Sequence, residues 1–395
     1  MYFYTVNEAL LHPEVQKFIR EYTDTLSALA FRGSPFQGVT VQELIQQVEG
    51  YRKTKKKLPT WHTCPGIYYP SKLSIEQTSS EDTAKYKASL FSGKSIADIS
   101  GGFGVDSYFF GKRFEQVAHF ELDSDLSQIA AHNFNALDTS NIKCYAGNGI
   151  DGILNNKYDV IYVDPARRHE SKGKVFFLAD CEPNLLEHQK YLLERCDTLL
   201  VKTSPMLDIS AGLFELENVT EIHVVALENE VKELLWVLRQ DISEEIKIKT
   251  VNFNKKEIQK FDFIHGQVAT TSHSHPKQFL FEPNAALLKA GAFQYLGPAL
   301  KLDKLHMHSH LFTSEVQVAF PGRSFEIQEV VPYHKKEMKA KLQGMKANVS
   351  IRNFSESVQA LRKKWKIADG GDTYLFFTTL MEDQKVVLVC HRIIS

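Results

Sequence analysis

Hydrophobic positions are spaced differently in the first part of the chain and in the rest. Within residues 12–31 and 40–50, apolar side chains recur three and four residues apart, which predicts amphipathic helices. A basic segment, residues 51–61, follows and contains a proline. Such a charge run is typical of a solvated linker, and Trp61 at its end is a candidate contact for a nucleic acid or another partner. We therefore expect a helical N-terminal region that ends in an exposed basic linker.

From about residue 94 the pattern changes to short apolar runs that alternate with helical segments. Residues 124–137, for example, place Leu126, Ile129 and Leu137 on one helical face. The runs that predict strands are 95–99, 116–121, 142–145, 158–163, 198–202, 221–226 and 246–253. Because strands joined by helices pair in parallel, residues 76–260 predict an α/β fold with a Rossmann-like, doubly wound sheet.

The last third of the chain has a different rhythm. We expect a strand at 278–281, a helix at 284–295 and a β segment at 305–312. Residues 325–391 then predict the order strand, helix, strand, helix, strand, strand, which is typical of a compact ferredoxin-like α+β module. The predicted bounds of these elements are 325–331, 335–342, 348–353, 355–365, 373–379 and 385–391.

Composition narrows the class of protein. The 395 residues suffice for two or three domains, and 43% hydrophobic with 24% charged residues excludes a disordered or collagen-like chain. No apolar run approaches the roughly 20 residues of a membrane helix, and the N-terminus lacks the pattern of a signal peptide. We therefore expect a cytoplasmic protein without membrane contact.

Metal-binding patterns are weak in this sequence. The five cysteines stand singly, which favours neither a zinc site nor a disulfide framework. His306, His308 and His310 would share one face of a strand, but no carboxylate or cysteine stands at a fixed spacing from them. Metal ligation by these histidines is the alternative, and we expect no metal site.

A glycine-rich turn follows the first predicted strand of the α/β region, in the segment Asp98-Ile-Ser-Gly-Gly-Phe-Gly-Val-Asp106. Glycines at the start of a helix let a ligand approach the backbone, and the free N–H groups of the helix face that ligand. Dinucleotide enzymes carry G-x-G-x-x-G here, whereas Val105, Asp106 and Ser107 follow Gly104. The missing third glycine and the acidic Asp98 favour S-adenosylmethionine over a nicotinamide cofactor, with a purely structural turn as the alternative.

Two further strand ends carry acidic residues. Glu121 ends the second strand, where a carboxylate binds both hydroxyls of a ribose, although it also suits the start of the next helix. Asp164-Pro165 ends the fourth strand, at the edge where open α/β sheets place their active sites. Aspartate followed by proline is also ordinary turn chemistry. The combination of all three elements in this order points to an adenosyl ligand beside a reacting group.

At these residues the chain resembles the class I S-adenosylmethionine-dependent methyltransferases, and among them the bacterial group with a THUMP-like C-terminal domain. Residues 281–293 and 370–377 resemble C-terminal signatures of that group. The resemblance implies that Asp98 and the glycine turn hold the methionine end of the cofactor, Glu121 its ribose and Asn148 its adenine. The full set of residues expected to bind the cofactor is Asp98, Ser100, Gly101, Gly102, Gly104, Asp106, Glu121, Asn148 and Asp164.

The resemblance also implies a division of the chain into four parts. The expected parts are a helical region (1–75), the methyltransferase domain (76–275), a connecting α/β segment (276–323) and a THUMP-like module (324–395).

Related base methyltransferases carry a second proline and an aromatic residue after Asp-Pro, where this chain has Ala166 and Arg167. Thr203 and Ser204 stand where uracil-carbon methyltransferases need a cysteine. We therefore expect direct in-line methyl transfer with Asp164, Pro165 and Arg167 as the catalytic residues.

The THUMP-like segment is basic. Residues 325–366 hold ten Lys and Arg against four Glu in a chain whose net charge is −1. Such clustering is typical of contact with a phosphate backbone, and two helices with solvated faces are the alternative. The predicted RNA-binding residues are Lys335, Lys336, Arg362, Lys363 and Lys364. We expect an RNA methyltransferase; a small-molecule or protein methyltransferase and a non-catalytic RNA-binding protein are the alternatives.

Overall fold

The computed structural model describes residues 6–154, 156–167, 178–241, 244–255 and 257–393. The chain divides into two compact units, which are described separately: unit 1 holds Met1–Thr220 and Leu234–Glu244, and unit 2 holds Glu221–Glu233 and Glu245–Ser395. The predicted division into four parts stays a prediction. Among the described residues, no helix has both the length and the apolar character that crossing a membrane requires.

Unit 1 begins with a helical region, as predicted, but the basic segment is not a linker. A capping box between Thr40 and Glu43 starts a helix that continues through the lysines to Lys57, and a short helix with Trp61 follows. Lysine is a good helix former, and its charge is favourable at a helix C-terminus. The prediction that Trp61 contacts a partner is wrong, because its side chain is fully buried against Tyr108 and Phe109.

Helices of unit 1 surround and precede a mostly parallel sheet. They are α1 Pro13–Glu21, α2 Leu26–Arg32, α3 Val41–Lys57, α4 Pro59–Thr63, α5 Lys72–Gln77, α6 Glu81–Ser89, α7 Val105–Phe110, α8 Ser124–Ala136, α9 Gly149–Ile153, α10 Leu185–Leu193 and α11 Ile209–Glu215. Short 3-10 helices lie at Glu8–Leu11 and Leu178–Asp180.

The sheet of unit 1 has the predicted doubly wound form. Its strands are β1 Gly93–Asp98, β2 Phe114–Glu121, β3 Ile142–Ala146, β4 Tyr158–Val163 and β7 Cys196–Thr203, in the order β3-β2-β1-β4-β7. All these neighbours pair in parallel, so the carboxyl ends of β1, β2 and β4 meet at one edge. A separate pair, β5 Ala166–Arg167 and β6 Cys181–Glu182, follows β4.

Besides the two-residue strands, two longer strands of the described residues escaped the sequence analysis. The first, β9 Glu230–Leu238, pairs antiparallel with β7 through its residues 234–238. Its start is charged, and its end is a short continuous apolar run that fits a buried helix as well as a buried strand. The second, β11 Ile258–Ile264, does alternate between apolar and polar side chains, and it forms an antiparallel edge on β10 Lys247–Phe253 in unit 2. In the same unit β10 pairs in parallel with β8 Val219–Leu227 over residues 221–227.

The rest of unit 2 contains a seven-stranded sheet in the order β13-β14-β12-β15-β18-β17-β16. The strands are β12 Phe279–Pro283, β13 Asp303–Lys304, β14 Phe312–Ser314, β15 Gly322–Pro332, β16 Asn348–Arg352, β17 Thr373–Thr379 and β18 Lys385–Arg392. The helices are α12 Ala285–Ala290, α13 Phe293–Leu300, α14 Lys335–Lys341 and α15 Val358–Trp365, with a 3-10 turn at Met381–Asp383.

The predicted order strand, helix, strand, helix, strand, strand is confirmed for β15 to β18. Met338 of α14 and Leu361 of α15 are both fully buried in one core with Leu375 and Phe377. The two helices therefore cover the same face of the sheet and turn their charged sides outward.

Two predictions for the preceding segment are wrong. The helix expected at 284–295 is interrupted, because Gly291 takes a left-handed conformation (φ +68°) that ends α12 and separates it from α13. The β segment expected at 305–312 is only partly strand: residues 306–310, with His306, His308 and His310, form a turn between β13 and β14. These histidines therefore do not share one strand face.

Candidate active site

The glycine turn between β1 and α7 is shaped by packing on one side and open on the other. A Cβ atom on Gly101 would lie 2.1 Å from the ring of His119, and one on Gly104 would lie 2.5 Å from the ring of Phe134. Gly102 differs, since it has φ +56° and the nearest atom to its Cβ position is 3.9 Å away. Gly101 and Gly104 thus let the turn sit closely on the domain core, whereas Gly102 borders open space.

Glu121, at the end of β2, holds this turn. Its Oε2 accepts a hydrogen bond from the backbone N–H of Gly102 (2.7 Å), and its Oε1 accepts one from the N–H of Asp123 (2.8 Å). The start of α8 has its own cap, because Asp123 accepts bonds from the first helical N–H groups. The carboxylate predicted to bind a ribose is therefore directly beside the open glycine, and its predicted role remains to be tested.

Asp98 faces the interior. Its side chain is 1% exposed; Oδ1 accepts a hydrogen bond from the N–H of Ser100 (3.1 Å) and Oδ2 one from the hydroxyl of Ser107 (2.7 Å). The pKa of Asp98 is raised to about 7, chiefly by burial; the Ser107 hydrogen bond opposes this rise, and the nearby Asp106 and Asp164 carboxylates add to it. Asp98 is thus built into the support of the turn, and its predicted contact with the cofactor amino group stays a prediction.

Asp106, also in the predicted cofactor set, is fixed by side chains of unit 1. It accepts hydrogen bonds from the hydroxyls of Ser79 (2.8 Å) and Tyr162 (3.1 Å), and Lys87 Nζ lies 3.2 Å from its Oδ1. Lys87 itself has no exposed surface. This buried charged group ties α6, α7 and β4 together.

Asn148 starts α9 and lies after β3, where the sequence predicts contact with an adenine. Its Oδ1 accepts a hydrogen bond from the N–H of Ile150 (2.9 Å), and its side chain is exposed. A Cβ on Gly149 would lie 2.7 Å from the Cβ and carbonyl oxygen of Ile99. The start of α9 therefore packs directly on the glycine turn.

Asp164, after β4, joins the turn to a second strand end. Its N–H donates to the hydroxyl of Ser100 (2.6 Å), and its carboxylate forms an ion pair with Lys202 of β7. The Asp164 side chain remains 33% exposed, whereas Lys202 is only 14% exposed. Ser100 therefore connects Asp98 and Asp164, and the Asp164 carboxylate presents one side to solvent at the edge of the sheet.

The structure describes only some of the residues that follow Asp164. Pro165 is buried, and the backbone of Arg167 pairs with that of Cys181. The side chain of Arg167, predicted to be catalytic, lies outside the described part of the chain, as does the whole of Arg168. Cys181 is fully buried.

Sequence analysis missed Lys202. In the same segment, Thr203 stands where a cysteine would be needed, and it is a buried acceptor for the indole N–H of Trp236 (2.9 Å). The sequence does contain a signal for Lys202: it is a lysine within the apolar run Leu199-Leu-Val-Lys-Thr203. A charged side chain in such a buried strand needs a partner of opposite charge on a neighbouring strand.

The predicted RNA-binding residues lie on the two helices α14 and α15 of unit 2. Arg362 pairs with Asp369, and Lys364 pairs with Glu356. Lys335, Lys336 and Lys363 are exposed. Two of the five predicted residues thus have acidic partners on the module itself, and the other three present their charge to solvent.

Comparisons with known proteins agree with this architecture. Residues 322–392 match the model of a THUMP domain-like family, and residues 279–321 match that of a ferredoxin-like domain. None of the curated proteins matches the chain.

Among solved structures, a protein from Porphyromonas gingivalis W83, described as a candidate methyltransferase, is 31% identical and has a TM-score of 0.89. The match covers 99% of this chain and 100% of that one. An rRNA methylase from Streptococcus thermophilus is 12% identical, with a TM-score of 0.31, over 40% of this chain and 95% of its own. A candidate methyltransferase from Streptococcus mutans in complex with SAH (S-adenosylhomocysteine) is 15% identical, with a TM-score of 0.30, over 40% and 96%.

Proposed function

Because the chain belongs to the methyltransferase family of the Porphyromonas gingivalis structure, we propose that it transfers a methyl group from S-adenosylmethionine to RNA. The observation that carries this proposal is the open face at Gly102, bordered by Glu121 and adjoining the strand end that holds Asp164.

The residues around the turn fit S-adenosylmethionine. A side chain at Gly102 would fill the space that a ligand needs, and the adjacent Glu121 carboxylate has lone pairs left to accept hydrogen bonds from ribose hydroxyls. We propose that Asn148, which is exposed at the start of α9, contacts the adenine. Among the predicted residues, Ser100, Gly101, Gly104, Asp98 and Asp106 shape the turn from behind.

Asp164 is the proposed catalytic residue. When bound, S-adenosylmethionine supplies a methyl group activated by a positive sulfur. Asp164 accepts a hydrogen bond from the acceptor and takes its proton when the acceptor is an amine, while Pro165 stiffens the turn. Lys202 holds one carboxylate oxygen, which leaves the other for the acceptor. The reaction is an in-line displacement in which the protein positions its two reactants.

The proposed substrate class rests on unit 2. The basic helices α14 and α15 belong to the segment that matches the THUMP domain-like model, and their exposed lysines suit contact with phosphates. The methylase from Streptococcus thermophilus is described as acting on rRNA, but the likeness to it is too low to carry an argument for this chain.

Calorimetry tests the cofactor assignment directly. We expect the wild-type protein to bind S-adenosylmethionine and SAH, and Gly102→Trp to abolish binding because the indole fills the open space. Gly266→Trp, at another glycine with positive φ and open surroundings but in unit 2, serves as the control and should bind normally. Tight binding of NADH without binding of S-adenosylmethionine would contradict the assignment.

A further inference from the structure

Three polar side chains form a buried line behind the glycine turn. Asp98 of β1, Ser107 of α7 and His119 of β2 are at most 1% exposed. The hydroxyl of Ser107 lies 2.7 Å from Oδ2 of Asp98 and 2.9 Å from Nδ1 of His119. None of these contacts was anticipated from the sequence, because they join three elements that are separated along the chain.

The Ser107 hydroxyl has one hydrogen to donate, so the direction of its hydrogen bond is linked to the protonation states of Asp98 and His119. An ionised Asp98 can only accept hydrogen bonds, so the Ser107 hydroxyl donates its hydrogen bond to Asp98. His119 then carries its own hydrogen on Nδ1 and donates it to the Ser107 oxygen. Its Nε2 lone pair is left buried, without a hydrogen-bond partner among the described residues. Burial lowers the pKa of His119 to about 4, so the ring is neutral.

The same line is in contact with the cofactor turn. The ring of His119 occupies the space where a Cβ on Gly101 would lie, at 2.1 Å from Cε1. Asp98 also accepts hydrogen bonds from the N–H and hydroxyl of Ser100, the residue that leads into Gly101. Any change in the charge or orientation of Asp98 therefore reaches the turn both through Ser100 and through the ring beneath Gly101.

We propose that Ser107 and His119 are positioning residues for the cofactor site: His119 donates to Ser107 and Ser107 to Asp98, which favours the ionised form of Asp98 and thereby keeps the glycine turn in its ligand-binding shape. This inference rests on the proposed function, because it concerns affinity for S-adenosylmethionine and its product. It adds two residues outside the predicted cofactor set, neither of which touches the ligand.

Protonation of Asp98 reverses the line. A protonated carboxyl donates to the Ser107 oxygen, and Ser107 donates to Nδ1 of His119, whose own hydrogen is then on Nε2. Ser100 loses the charge that orders its N–H. Since the pKa of Asp98 is about 7, ligand affinity should fall as the pH drops through neutrality. Among the described residues, the other titratable and charged groups that interact with Asp98 are Asp106, which pairs with Lys87, Asp164, which pairs with Lys202, and the thiol of Cys144.

Calorimetric titration of the full chain with SAH at pH 6, 7 and 8 tests the proposal. For the wild-type protein we expect about tenfold weaker binding at pH 6 than at pH 8, because a carboxyl with a pKa of about 7 is mostly protonated at pH 6. Two substitutions separate hydrogen bonding from packing. His119→Phe keeps a ring but has no donor, and His119→Asn loses the ring but offers an amide N–H near the position of Nδ1.

The variants are expected to differ in the midpoint of their pH profile as well as in their affinity for SAH. His119→Phe and Ser107→Ala should shift the pH profile upward and weaken binding about three- to tenfold at pH 7, as the loss of one ordinary hydrogen bond predicts. His119→Asn should keep the wild-type midpoint. The double variant Ser107→Ala/His119→Phe should shift no further than the larger single effect, because both changes remove the same line.

His223→Asn is the control, since His223 is a buried histidine (2% exposed) in β8 of unit 2. It should leave both affinity and profile unchanged, and thermal unfolding without ligand reports whether each variant is folded. A wild-type profile in folded His119→Phe, or an upward shift in His119→Asn alone, would overturn the proposal. Absence of SAH binding by the wild-type protein at every pH would instead overturn the proposed function.

Discussion

The three glycines of the turn look equivalent in the sequence, but they have different surroundings in the fold. Gly101 and Gly104 are required because the rings of His119 and Phe134 occupy their side-chain positions, whereas Gly102 alone borders open space. The sequence predicted the acidic strand ends Asp98, Glu121 and Asp164. It did not predict Lys202, Ser107 or His119, because their importance depends on which strands become neighbours in the sheet.

At this scale the clearest prediction concerns Asp164. Asp164→Asn keeps the shape of the side chain and removes its charge, so binding of S-adenosylmethionine should survive. The rate of methyl transfer should fall by about 10²–10⁴, which is typical for the loss of one positioned proton acceptor or hydrogen-bonding group. Single-turnover transfer of a labelled methyl group to RNA from cells that lack the gene measures this rate.

Asp82→Asn, at an exposed position of α6, is the matched control and should transfer at the wild-type rate. Lys202→Met should also slow transfer because Asp164 loses the partner that orients it, and Lys202→Arg should restore part of the rate. A wild-type rate in Asp164→Asn would show that the catalytic assignment is wrong.

At the scale of elements, periodicity predicted most strands of the parallel sheet to within about two residues, since buried strands give continuous apolar runs. β4 and β17 have the predicted bounds. Charge was a poorer guide: the basic segment at the end of α3 is helical, and Lys57 donates to the carbonyl oxygens of Ile75 and Glu76. A run of lysines therefore distinguishes neither a linker from a helix nor a structural lysine from a binding one.

Helices α14 and α15 allow that distinction to be tested. Lys336→Glu with Lys363→Glu reverses two exposed charges on the proposed RNA surface, and it should weaken binding of bulk tRNA and rRNA. The slope of log K against log salt should fall by about 1 for each phosphate that the protein no longer neutralises, while affinity for SAH should not change. Fluorescence anisotropy over a range of salt concentrations measures both K and the slope.

Lys55→Glu with Lys56→Glu makes the same change in net charge at exposed positions of α3 and should leave the slope as it is. Equal effects of the two pairs would mean that net charge rather than the THUMP-like surface governs RNA binding. An unchanged slope in the α14 and α15 variant would point to a small-molecule or protein substrate.

At the scale of the whole molecule, a doubly wound methyltransferase fold and a THUMP-like module occur in one chain, and the full-length likeness to the Porphyromonas gingivalis structure spans both. The fold was predictable because its strands are recognisable apolar runs, and the acidic residues Asp98, Glu121 and Asp164 stand at the ends of three of them. The antiparallel β9 was not predicted, since its short apolar run also fits a buried helix and its pairing with β7 is decided by tertiary contacts.

The most direct test of the central claim is mass spectrometry of the nucleosides in total RNA from cells that lack the gene, complemented with wild-type protein or with Asp164→Asn. We predict that one methylated nucleoside disappears on deletion, returns with the wild-type protein and does not return with Asp164→Asn. An identical set of methylated nucleosides with and without the gene would contradict the claim that this methyltransferase acts on RNA.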